Sequence, residues 1–224
     1  MTSTADAILT GKTSTHLVEI SPSVLLHKDA VQSFKLMQHD AQKDGIDIAI
    51  ASSFRSFEQQ LAIWNAKFSG AKPVFNEKDE KVDITQLPDI ERIQAIMLYS
   101  ALPGASRHHW GTDIDLYSPS LLPSNQALQL APWEYEQDGY FYPLTQWLTN
   151  NASKYGYYWP YDKYRGGVAA EPWHLSFGAL SKPFLSQLTL DVLAQCIAAS
   201  NIMGKQALLD SLPALYDQYV VNVG

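Results

Sequence analysis

The chain has 224 residues, 46% of them hydrophobic and only 17% charged, with a formal net charge of −7. That length holds one large domain, or a domain with an added helical piece, and the apolar content fills a core, which excludes a disordered chain. The acidic balance excludes the basic footprint of a nucleic-acid binder, and the scattered lysines and arginines exclude an anionic membrane surface as partner.

The single cysteine, Cys196, cannot close an intrachain disulfide and reads as a small buried hydrophobe in an apolar helical stretch over 188–199. Any metal site must therefore draw on His, Asp or Glu. The N-terminus as written has neither a basic n-region nor an apolar h-region, and no apolar run is long enough to span a bilayer. As written, this points to the cytoplasm; removal of a leader would change the reading to periplasmic or secreted. The sequence leaves the oligomeric state open.

In chain order, residues 1–20 read as a polar, loose lead-in. Val31, Phe34, Met37 and Ala41 recur at helical spacing within 29–44, and Gly45 follows as a C-terminal stop. Residues 46–51 alternate and predict a strand. Ser56 with Gln59 forms a capping box, so a helix should start there and run to about Phe68. Residues 69–85 read as a loop. A helix over about 88–101 follows, with Pro88 in its first turn and Pro103-Gly104 beyond its end. Residues 111–117 predict a second strand, 118–140 a long irregular segment, 143–154 an amphipathic helix and 173–177 a third strand. Residues 155–167 are aromatic and rich in glycine, more in keeping with packing than with a sugar platform. From 183 onward the pattern predicts a pair of helices split near Gly204. The whole reads as an α+β domain over 21–182, a small central antiparallel sheet flanked by helices, with a C-terminal helical extension over 183–224 packed on it.

Two segments carry chemistry: Ser106-Arg107-His108-His109-Trp110-Gly111-Thr112-Asp113-Ile114-Asp115 and Glu171-Pro172-Trp173-His174. A hydrolytic zinc takes three protein ligands and leaves one position open, and imidazole nitrogen with carboxylate oxygen suits it. His108, His109, Asp113, Asp115 and His174 are the candidates. Alternation puts Asp113 and Asp115 on one face of a strand with Ile114 opposite, so periodicity does not choose between the aspartates, nor between His108 and His109. Glu171, three residues before His174, has the chemistry of a general base, and Pro172 and Trp173 stiffen that segment. Arg55, after the first predicted strand, can bind a carboxylate or steady an oxyanion. His16, His27 and His39 stand alone and read as structural or surface histidines.

The segment Ser106-x-His108-x-x-Gly111-x-x-x-Asp115 resembles the Ser-x-His-x-x-Gly-x-Ala-x-Asp signature of the VanY-type D-alanyl-D-alanine carboxypeptidases, a group that includes the VanX dipeptidases and phage L-alanyl-D-glutamate endopeptidases. Glu171-Pro172-Trp173-His174 resembles the Glu-x-x-His of that family. Ser53-Phe54-Arg55-Ser56 with Gln60 resembles its Ser-Gly-Tyr-Arg-Ser…Gln segment. The motifs span residues 52–177 in the family's order. The resemblance implies Zn2+ held by His108, Asp115 and His174, with Glu171 as general base. It implies Arg55 at the transition state or on the substrate, helped by Gln60, and Ser106 near the substrate's terminal carboxylate. Ser53 and Trp173 complete the implied substrate-binding set. The implied partner is a peptidoglycan stem peptide or its precursor, cut at the terminal D-alanyl-D-alanine bond. An internal cut, a dipeptidase activity on the same site and a metal-stabilised binding module without turnover are the alternatives. Two departures stand out: Asp113 replaces the family's usual Ala, where a second carboxylate near the metal would raise the pKa of bound water or bind a different ion, and Ser53 replaces its Gly.

Overall fold

The computed structural model describes residues 3–224. The expected lead-in is ordered instead, its first two residues lying outside the described ones. A short helix, α1 (Thr4–Leu9), is capped by Ser3 and buries Leu9. It is tied to the chemistry-bearing turn, since Trp110 Nε1 donates to the Leu9 carbonyl at 3.1 Å. An unpredicted hairpin follows, β1 (Leu17–Ser21) with β2 (Val24–His27). The two strands are short and carry few alternating apolar residues, so period-2 counting passes over them.

Helix α2 (Val31–Lys43) buries Phe34, Met37 and Ala41, and Gly45 takes the left-handed conformation at its end (φ 82°). Strand β3 (Ala49–Ser52) begins three residues later than expected. Helix α3 (Phe57–Phe68) has the Ser56/Gln59 capping box in full. The loop expected over 69–85 contains a two-residue-stranded hairpin, β4 (Val74–Phe75) and β5 (Lys81–Val82). Helix α4 (Asp89–Met97) stops short of residue 101. Strand β6 (Asp113–Tyr117) follows a 3-10 turn over Arg107–Trp110. The irregular segment 118–140 holds one short helix, α5 (Pro132–Tyr135). Then come α6 (Tyr142–Asn151), β7 (Tyr157–Tyr158) and β8 (His174–Phe177). Three α-helices follow β8, not a pair: α7 (Gly178–Gln187), α8 (Leu190–Ala198) and α9 (Lys205–Leu215), the last running on into a π-helical turn over Tyr216–Val220. Helix α7 runs through the boundary expected at 182/183. Cys196 is buried in α8, where burial pushes its thiol pKa up. No helix among the described residues is long and apolar enough to cross a membrane.

The central sheet is antiparallel, in the order β3-β6-β8-β7. Its side chains divide by strand alternation. Ile114, Leu116 and Leu175 turn to one face and pack with Phe34, Met37, Leu144 and Leu148 from α2 and α6. Asp113 and Asp115 on β6, and His174 and Ser176 on β8, turn to the other. A second apolar cluster joins α3 and α4 to α8 and α9 through Trp64, Ile93, Ile96, Leu193 and Leu208. The C-terminal helices thus buttress the two helices that flank the polar face.

The rings of His16 and His27 lie 5.5 Å apart, tilted by 48°, and Phe54 meets His16 edge-on at 6.5 Å. Both ring nitrogens of His16 are buried without a hydrogen-bond partner. Burial, with repulsion from His27, lowers the His16 pKa from 6.5 to about 4. An unfolded chain therefore binds a proton at His16 below pH 6.5 that the folded chain refuses until about pH 4. The stability tied to this neutral ring is present above pH 6.5 and lost as the pH falls towards 4. Thermal unfolding at pH 7 and pH 4.5 is expected to show a smaller acid-induced fall for His16→Leu than for the wild type. Equal falls would refute it.

Candidate active site

The register of the sheet makes the site. Asp115 on β6 lies directly opposite His174 on β8, and Asp113 opposite Ser176. Facing residues of an antiparallel pair have neighbouring side chains, so a carboxylate and an imidazole separated by 59 positions in sequence become adjacent. His108 arrives from the 3-10 turn just before β6. Gly111 ends that turn at φ 66°, and a Cβ there would lie 2.4 Å from Leu17 and 2.9 Å from the His27 nitrogen. The turn and the β1–β2 hairpin therefore close on each other only around glycine.

Each imidazole is aimed by a bond from its far nitrogen. His108 Nδ1 donates to the Ser53 carbonyl at 2.9 Å, which leaves Nε2 as the lone-pair nitrogen, 3.3 Å from Asp115 Oδ2. His174 Nε2 donates to Asp113 Oδ1 at 2.9 Å, so Nδ1 faces Asp115 Oδ1 at 3.3 Å. One donor atom from each of His108, Asp115 and His174 lies within 4.8 Å of the others. Asp115 Oδ1 is buried with no hydrogen-bond partner. Two nitrogens, a carboxylate oxygen and an unsatisfied lone pair converging on one point fit a zinc-type centre.

The electrostatics agree. Burial alone would lower the His174 pKa, but bonds to Asp113, Asp115 and Glu171 raise it well above 6.5. Burial would raise the Asp115 pKa, but His108 and His174 pull it well below the usual carboxylate range. The point between these groups attracts a cation, proton or metal ion alike.

The open alternatives now separate. Asp113 turns away from the cluster: it lies on the outer side of His174, accepting from Arg107 Nε at 2.8 Å and Thr112 Oγ1 at 2.7 Å. The expectation that it would act on bound water or select another ion is corrected, because its charge is matched by Arg107. His109 points elsewhere, with Nδ1 donating to the Arg55 carbonyl at 2.6 Å and Nε2 accepting from Gly104 N–H at 3.0 Å. Burial lowers its pKa to about 3, so it is a neutral latch between the Arg55 segment and the turn before Ser106.

Glu171 Oε2 lies 3.1 Å from His174 Nδ1, at the edge of the cluster. Arg55 donates from Nη1 to Gln60 Oε1 at 2.9 Å and from Nη2 to Ser52 Oγ at 3.0 Å. Both line a cleft of about 430 Å³, with Ser106, His108, Asp115, Trp173 and His174. Two of the expected substrate-binding residues take other places. Gln60 is fully buried, its Nε2 donating to the Ala101 carbonyl at 2.7 Å, so it holds Arg55 and does not reach the cleft. Ser53 lies on a neighbouring cleft behind Arg55, and its contribution to the site is the carbonyl that orients His108.

Sequence reasoning missed Arg107, Tyr161 and the wall 129–132. Arg107 is buried, bridging Asp113, Tyr158 and Ser176. The Tyr161 ring stands edge-on to His174 at 5.1 Å. Glu134, fully buried, accepts from the Ala131 nitrogen at 3.0 Å and the Gln129 nitrogen at 3.2 Å and so shapes that wall. Only Arg107 had a signal, its place inside the Ser-x-His motif.

A family model described as VanY, D-alanyl-D-alanine carboxypeptidase, matches residues 23–180. An uncharacterized protein of Haemophilus influenzae is 38% identical over 122 residues, 54% of this chain and 93% of that protein. A vancomycin-resistance D,D-pentapeptidase VanY mutant, solved in complex with Zn(II), is similar with a TM-score of 0.53 and 18% identity, over 76% of this chain and 83% of its own. The LdcB LD-carboxypeptidase is similar with a TM-score of 0.52 and 22% identity, over 84% of this chain and 86% of its own. At these identities the two solved structures establish a shared fold.

Proposed function

Because the chain belongs to the VanY family of D-alanyl-D-alanine carboxypeptidases, we propose that it is a zinc-dependent peptidase releasing the terminal D-alanine of peptidoglycan stem peptides. The convergence of His108, Asp115 and His174 on the floor of a cleft, with Glu171 and Arg55 beside it, carries this reading. The solved relative in complex with Zn(II) supports the choice of metal. When bound, zinc supplies the Lewis acidity that polarises a carbonyl and acidifies water.

The side chains do the rest. Glu171 takes the proton of the attacking water and hands it to the leaving amine. Arg55 is fixed by Gln60 and Ser52 and keeps further N–H donors for the oxyanion that develops on the scissile carbonyl. The Ser106 hydroxyl, on the cleft, donates to the substrate's terminal carboxylate. Tyr161 and Trp173 supply an apolar rim that displaces water. A binding module would need neither a base nor an oxyanion donor at these positions.

Mass spectrometry of a muropeptide pentapeptide treated with zinc-loaded protein tests the reading. One D-alanine and a tetrapeptide are the expected products. An internal cut would keep the chemistry and move the specificity to that of an endopeptidase. Failure to cleave pentapeptide, tetrapeptide or free D-alanyl-D-alanine would overturn the proposal.

A further inference from the structure

Helix α3 presents Gln60, Ile63 and Lys67 on one side, at spacings of three, four and seven residues. Gln60 is buried beneath Arg55, whereas Ile63 and Lys67 line the cleft itself. Lys67 Nζ donates to Ser100 Oγ at 2.6 Å, which fixes the side chain against the segment after α4. An ammonium has three donors, so two remain. No carboxylate among the described residues lies within ion-pair distance of it. Three carboxylates line the cleft with it: Asp115 and Glu171 face the histidines, and Asp79 forms no ion pair with Lys67. A partly buried ammonium without a counter-ion is costly to hold, and here it is held in a chain of net charge −7. Burial, then repulsion from Arg55 and Lys72, pushes its pKa down to about 8 against the weaker opposing pull of Glu171, the direction expected of a cation without an ion-pair partner.

We propose that Lys67 is a specificity-determining residue that pairs with a carboxylate of the substrate peptide, bound along the α3 side of the cleft. The proposal rests on the peptidase reading above and adds a recognition point to it. The helical rise places Lys67 about 10 Å along α3 from Gln60, the residue that holds Arg55, a distance of about three residues of extended peptide. A carboxylate within that reach of the scissile bond is either the one at the C-terminus or one carried by a residue inside the stem. Both have the same chemistry, an anion that accepts hydrogen bonds from the two free N–H groups of Lys67.

Binding and turnover read the proposal separately. Affinity is measured by calorimetry in a Glu171→Ala background, where the peptide is not consumed, for chains with Lys67, Lys67→Met and Lys67→Arg. Three pentapeptides are compared: one with all carboxylates free, one amidated at the C-terminus, and one amidated at its internal carboxylates. Lys67→Met is expected to weaken binding of the free-acid peptide by about ten- to a hundredfold, with Lys67→Arg recovering most of it. Amidating the carboxylate that Lys67 holds should weaken the Lys67 chain equally and erase its difference from Lys67→Met. Which amide does so identifies the source. With the native Glu171, the same substitution should raise KM and leave kcat within a few-fold. A Lys67→Met loss of the same size on all three peptides, or a loss in kcat alone, would overturn the assignment and leave Lys67 a structural tie to Ser100. Carboxylate-dependent binding through Lys67 without turnover of any peptide would keep this assignment and overturn the peptidase reading. If Lys67→Met folds poorly, Lys67→Gln, which can keep the bond to Ser100 Oγ and loses the charge, takes its place in the same comparison.

Discussion

Glu171→Ala is expected to lower kcat on a stem pentapeptide by about 10²–10⁴-fold while leaving the zinc content of the purified protein unchanged. The two halves of this expectation come from different parts of the geometry. Glu171 lies 3.1 Å from His174 Nδ1, close enough to reach a water molecule beside the cluster. It is also outside the His108, Asp115 and His174 set whose donor atoms converge, so its removal takes away no member of that set. Glu171→Gln, which keeps the shape and loses the basicity, should fall by a similar factor. Steady-state kinetics with metal analysis on the same samples decides the matter. Loss of metal along with activity would make Glu171 a ligand, and activity within a few-fold of the wild type would place the base elsewhere.

The parts of this molecule that could be read in the sequence are those governed by local rules. The capping box at Ser56 fixes the start of α3 because Ser56 and Gln59 satisfy each other's backbone groups within four residues. Alternation on β6 places Asp113 and Asp115 on one face because a strand has no other option. What alternation cannot give is the difference between them. That difference is set across the sheet, by the register that puts Asp115 opposite His174, and by Arg107 reaching Asp113. The same holds for His108 and His109, told apart by the carbonyls of Ser53 and Arg55, which come from a segment more than fifty residues away. Gln60 resisted for a related reason. Its spacing from Arg55 marks it as a partner, but only packing shows that it is buried beneath the arginine and not beside the substrate. Residues 3–20 were misread because their polarity hides the tertiary role of Leu9 and Gly11. A Cβ at Gly11 would lie 2.3 Å from the His109 ring, so this segment folds against the active-site turn.

Asp113→Ala is the substitution expected to do most damage to the folded chain, because two roles fail at once. Asp113 and Arg107 are both buried and share a 2.8 Å bond. Removing the carboxylate strands a buried guanidinium, which costs about 3–5 kcal/mol. In a chain of this size that corresponds to a fall in Tm of about 6–20 °C. The second role is orientation. His174 loses the acceptor that keeps its proton on Nε2 and its lone pair on Nδ1, and loss of such an outer partner weakens metal binding by about 10–100-fold. A double variant separates the two. Arg107→Met with Asp113→Leu removes both charges and fills the space with apolar side chains, so thermal stability should return towards the wild-type value. Zinc affinity, read by competition with a chelator, should stay low, because nothing then aims His174. Recovery of both properties in the double variant would show that the ion pair matters only for folding. Recovery of neither would mean that Arg107, through Tyr158 and Ser176, holds β7 and β8 together in a way that apolar packing cannot replace.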